Sequence, residues 1–97
     1  MFNFDRWCSW VESHCSLASS EQVTLEFRRG QPSSKRGAAT ALKTSQKLMQ
    51  LSFWETGEAD FFGIDLLTGD DIIVFNGRVL DDCSFEQTFR ECLITVR

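Results

Sequence analysis

A chain of 97 residues is long enough for one domain, residues 1–97, and for one modest core. Its formal net charge of −4 works against nucleic-acid phosphates, and no apolar run approaches the roughly 20 residues that span a bilayer, so neither nucleic acid nor membrane is an expected partner. Apolar residues at 42% and charged residues at 25% exclude a chain too polar to fold.

The first residues, Met1-Phe2-Asn3-Phe4-Asp5, carry an acid and no basic stretch, so no export signal is read there and the cytoplasm is the expected location. Phe4, Trp7, Cys8, Val11 and Cys15 then recur at helical spacing. Asn3 is placed to cap that helix, Asp5 sits where the helix dipole favours an anion, and Ser19 and Ser20 mark its end. Val23, Leu25 and Phe27 alternate with Thr24, Glu26 and Arg28, the period of a half-buried strand. Residues 30–40, with Gly30, Pro32, Ser33, Ser34 and Gly37, read as a mobile surface loop in which Lys35 and Arg36 are solvated charges.

Met49, Leu51 and Phe53 alternate with Gln50 and Ser52, giving a second strand. A tight turn at Glu55-Thr56-Gly57-Glu58 leads to a third strand over residues 59–66, and Leu67-Thr68-Gly69-Asp70 turns into a fourth over 72–75. Ser84 and Gln87 have capping-box spacing behind Asp81 and Asp82, and Phe85, Thr88, Phe89, Cys92 and Val96 supply one apolar helical face. The expected fold is α+β: a four-stranded antiparallel meander with N-terminal and C-terminal helices packed on one face.

Two helices cover one side of such a sheet and leave the other open. If Met49, Leu51 and Phe53 point inward, Trp54 points out; if Phe62, Ile64 and Leu66 form the inner set of the third strand, then Ala59, Phe61, Gly63 and Asp65 lie on the open side. Nine Phe and three Trp are also a heavy load for one thin core, which leaves rings for the surface. Charge is uneven along the chain. Residues 1–54 hold seven Lys/Arg and four Asp/Glu, whereas residues 55–97 hold three Lys/Arg and ten Asp/Glu. Aromatic side chains among acids suit a docking surface for a basic protein partner, so the candidate partner-binding residues are Trp54, Glu55, Glu58, Asp60, Phe61 and Asp65.

Little points to chemistry. The sole histidine, His14, lies beside Cys15 on the first helix, where neighbouring side chains diverge by about 100°, so the two do not form a nucleophile pair. Cys8, Cys15, Cys83 and Cys92 have no CxxC spacing and read as reduced, mostly buried thiols rather than a zinc site with His14. The six glycines are scattered at turns, so no phosphate-cradling loop exists, and Asp70-Asp71 and Asp81-Asp82 lack the spacing of a calcium loop. Neither an enzyme nor a cofactor is expected.

At Trp54-Glu55-Thr56-Gly57-Glu58-Ala59-Asp60, followed by Ile64-Asp65 and Thr68-Gly69, the chain resembles the TriTu immunity proteins, small bacterial antitoxins paired with the ADP-ribosyltransferase toxin TreTu. The resemblance runs from about residue 48 to the C-terminal helix. It implies a cytoplasmic protein that binds the toxin domain as a monomer in a 1:1 heterodimer. Occluding the toxin's NAD or target-binding cleft would then prevent NAD-dependent modification of elongation factor Tu, and the immunity protein would need no cofactor of its own. Asn76-Gly77-Arg78 departs from the more acidic or His-containing run of the family, and the Lys35/Arg36 loop lies outside the shared pattern. Both departures bear on which toxin is recognised. The alternative is a non-enzymatic chaperone or adaptor that sheathes an apolar segment of another client.

Overall fold

A computed structural model describes residues 2–18, 22–30 and 35–96. The elements run α1 (Phe4–Ala18), β1 (Thr24–Arg29), β2 (Gly37–Lys43), β3 (Lys47–Trp54), β4 (Glu58–Asp65), β5 (Asp71–Val79) and α2 (Phe85–Val96). Ser19, Ser20, Pro32, Ser33 and Ser34 lie outside the described residues.

The sheet has five strands, not four, in the order β1-β2-β3-β4-β5, with every neighbouring pair antiparallel. The added strand is β2, which begins inside the 30–40 segment that the composition marks as loop, at Gly37, and runs on past it to Lys43. Gly37, Ala39 and Ala41 alternate with Ala38, Thr40 and Leu42, so only Leu42 supplies the large apolar side chain that makes a strand legible. Pairing decides the conformation instead. Thr40 lies between Phe27 of β1 and Leu51 of β3, and Gly30 donates its N–H to the Gly37 carbonyl at 2.8 Å where the β1–β2 hairpin closes.

Cross-strand register defines the covered face. One row runs Leu25, Leu42, Met49, Gly63, Ile72; the next runs Phe27, Thr40, Leu51, Phe61, Phe75. Both helices pack on this side. Phe53 meets Phe4 of α1 at 5.7 Å and Phe85 of α2 at 4.9 Å, and Trp7 stacks on Phe85 at 4.7 Å. Phe4, Trp7, Cys8, Val11 and Cys15 of α1 are all buried, as helical spacing requires, with Phe85, Thr88, Phe89, Cys92, Leu93 and Val96 of α2.

Local signals set the ends of these elements. Asn3 Oδ1 accepts the Arg6 N–H at 3.2 Å and caps α1. The cap of α2 is one turn earlier than the Ser84/Gln87 spacing suggests. Asp81 Oδ1 accepts the Ser84 N–H at 2.8 Å while Ser84 Oγ accepts the Asp81 N–H at 3.0 Å, a reciprocal capping box. Gly57 takes φ 90° in the β3–β4 turn, and its N–H and carbonyl bond Trp54 and Leu80.

Asp82 joins the chain ends, accepting the Asn3 N–H at 2.9 Å and the Trp7 Nε1–H at 2.7 Å. The Ser84 and Cys83 donors around Asp81, and the Asn3 and Trp7 donors around Asp82, hold both carboxyls below their ordinary value of 3.8. A depressed folded-state pKa contributes stability above the unfolded value that is lost as pH falls through the folded one. Thermal midpoints should therefore be level at neutral pH and fall below about pH 4, and Asp82→Asn, which keeps an acceptor but removes the titration, should make that acid slope shallower.

Candidate functional site

Of the twelve Phe and Trp rings, ten belong to the core or pack against it; Trp54 and Phe62 do not. Both stand on the face of the sheet away from the helices. Trp54 follows buried Phe53 on β3 and lies across from Gly37, while Phe62 follows buried Phe61 on β4 and lies between Gln50 and Ile73.

Here the structure corrects the parity expected from sequence. Phe61 is fully buried, opposite Leu51 and Phe75, and Asp65 shares its side of β4 opposite Lys47. Phe62, Ile64 and Asp60 take the open side. The cause is packing volume: a side chain at Gly63 would collide with Met49 and the Leu48 carbonyl, so the covered side of β4 admits only Ala59, Phe61 and Gly63. Small residues there look like an outward set only until their cross-strand neighbours are known.

The Trp54 corner is internally satisfied. Lys35 Nζ lies 5.4 Å from the Trp54 ring centre and pairs with Glu58 at 3.1 Å. Arg36 donates its Nε–H to Glu55 at 3.0 Å and also pairs with Asp5, which Arg29 contacts too. Bonds from the Arg36 backbone and guanidinium hold the Glu55 carboxyl below its ordinary value. Lys35 and Arg36 are thus anchored charges, contrary to their reading as solvated ones. Asp60 Oδ1 accepts the Gly77 N–H at 2.7 Å beside a register shift between β4 and β5, and Asp65 Oδ1 accepts the Leu67 and Thr68 N–H groups of the following turn. Each of the four candidate acids, Glu55, Glu58, Asp60 and Asp65, therefore has work inside the fold.

Sequence reasoning did not single out the residues that stand uncovered. Phe62 is 39% exposed and Ile73, its neighbour on β5, 67%. Leu48 and Ile64 are Cα partners in the adjacent row, and Leu67 projects from the turn at the same end of the sheet. Phe62, Asp71, Ile73 and Asn76 border a notch of about 350 Å³. Together these side chains leave apolar surface uncovered on the open face of the sheet.

The histidine and three of the four cysteines are taken up in packing. His14 stacks on Trp10 at 4.5 Å, and burial pushes the thiols of Cys8 and Cys15 up to about 11 and that of Cys92 up to about 12. Cys83 alone is exposed, and the four thiols are free. No cluster of three metal-ligating side chains occurs among the described residues.

A family model described as "Immunity protein TriTu" matches residues 5–95. No curated protein and no solved structure matches the chain.

Proposed function

The chain belongs to the TriTu family of immunity proteins, and from that premise we propose that it binds and blocks a cognate bacterial ADP-ribosyltransferase toxin domain, preventing modification of elongation factor Tu. The action is occlusion: a rigid sheet face covers the toxin's NAD or target-binding cleft, and no group on the immunity protein reacts. The complex is a 1:1 heterodimer formed in the cytoplasm.

The observation that carries this reading is the pair of rings left outside the core, Trp54 and Phe62, on one uncovered sheet face. Large apolar side chains on a flat scaffold supply binding energy by burial, and a five-stranded meander holds them at low entropic cost. The contact surface proposed here spans that face from Trp54, Glu58 and Asp60 to Phe62, with Glu55 and Asp65 in or beside the flanking turns.

Co-expression with the toxin domain encoded by the neighbouring reading frame tests the proposal. A 1:1 complex on size exclusion, together with elongation factor Tu left unmodified in the presence of NAD, is expected. Separate elution with modification proceeding at full rate would refute it, and a dimer that binds extended peptides would point to a chaperone.

A further inference from the structure

Most of the protein's acids are committed to its own structure. Asp5, Glu55, Glu58, Glu86 and Glu91 form ion pairs, and Asp60, Asp65, Asp81 and Asp82 accept backbone or indole N–H groups. The carboxylates of Asp70 and Asp71 have no hydrogen bond or ion pair among the described residues. They lie in and just after the β4–β5 turn, and Asp71 is the Cα partner of Ile64 in the row beside Phe62 and Ile73. Residues 58–79 hold five Asp/Glu and one Arg, and that Arg78 is turned to the helix side, over Phe75 at 4.1 Å and beside Glu91.

We propose that toxin docking centres on the β4–β5 half of the open face, with Phe62, Ile64 and Ile73 as the apolar contact and Asp70 and Asp71 as its charged rim, and that the complementary toxin surface presents an apolar side chain ringed by Lys or Arg. This rests on the toxin-binding reading above and decides which half of the face carries it. At the Trp54 end the local charges already neutralise one another: Lys35 spans Trp54 and Glu58, and Arg36 holds Glu55. A partner there would have to break pairs before making any. At the Phe62 end the apolar surface is uncovered and the negative charge unspent, so docking a basic rim adds attraction without breaking an existing contact.

The roles separate kinetically. Rim charges steer encounter, whereas buried apolar contacts hold the complex. Association and dissociation rates with the neighbouring-frame toxin domain are measured at low and physiological salt for the wild-type chain, Asp70→Lys/Asp71→Lys, Phe62→Ser and Trp54→Ala, each with its thermal midpoint. The charge reversal should slow association about tenfold or more at low salt and flatten its salt dependence. Phe62→Ser should speed dissociation about tenfold or more, and Trp54→Ala, at the edge of the same surface, should speed it by clearly less than Phe62→Ser does. Wild-type rates in the first two variants, with binding lost in Trp54→Ala, would overturn this assignment and leave the toxin reading standing. A wild-type chain that fails to bind overturns both.

Discussion

Phe85→Ala should lower the unfolding free energy by about 3–5 kcal/mol, the range for emptying a buried phenylalanine site. Phe85 opens α2 and is fully buried. Its ring stacks on Trp7 at 4.7 Å, meets Phe53 edge-on at 4.9 Å, and lies 5.8 Å from Phe2 and 6.2 Å from Trp10. One side chain thus joins the N-terminal segment, both helices and the central strand, and no single neighbour can collapse into the space it leaves. A domain of this size has about 5–15 kcal/mol to lose, so the variant should remain folded at 25 °C with a midpoint about 15–30 °C lower. Chemical denaturation checks this: the midpoint should fall with little change in slope. A shift under about 1 kcal/mol would mean that the aromatic cluster is not the structural hub that its ring contacts describe.

The contrast between Phe85 and Phe62 also shows how far the fold could be read from sequence. The helices were legible because large rings recur at helical spacing, from Phe4 to Cys15 and from Phe85 to Val96. β3 was legible because Met49, Leu51 and Phe53 alternate with smaller or polar residues. β2 was not: its Gly and Ala residues carry almost no apolar contrast, and only the ladders to β1 and β3 make them a strand. The face of β4 is reversed from the one its sequence suggests, for a related reason. Phe61 and Phe62 are adjacent, so one must be outside, and Ile64 and Leu66 pulled the choice the wrong way. What settles it is the bulk of Met49 and Phe53 across from Gly63 and Ala59, which is a fact of register.

The candidate site divides along the same line. Trp54 stands on the open face, as the unambiguous period of its own strand indicates. The anchoring of Lys35 and Arg36 was invisible, since their acidic partners lie 23 and 19 residues away along the chain. Pairing removes much of the negative potential expected near Trp54 and shifts the free acidity toward Asp70 and Asp71. Acid clusters in a sequence therefore indicate a partner's charge only after internal pairs have been subtracted.

If binding belongs to one face of the sheet, two exposed isoleucines on different faces of the protein should report it directly. Ile73 on the open face is 67% exposed, and Ile94 on the outer side of α2 is 71% exposed. Ile73→Arg and Ile94→Arg change net charge and exposed apolar area almost equally, so any difference between them reports position. Ile73→Arg buries a cation against a basic partner in place of an apolar contact, and toxin affinity measured by calorimetry should fall about 100-fold or more, with Ile94→Arg within about threefold of wild type. Equal affinities for the two variants, or the larger loss in Ile94→Arg, would contradict the assignment of the open sheet face as the toxin-binding surface.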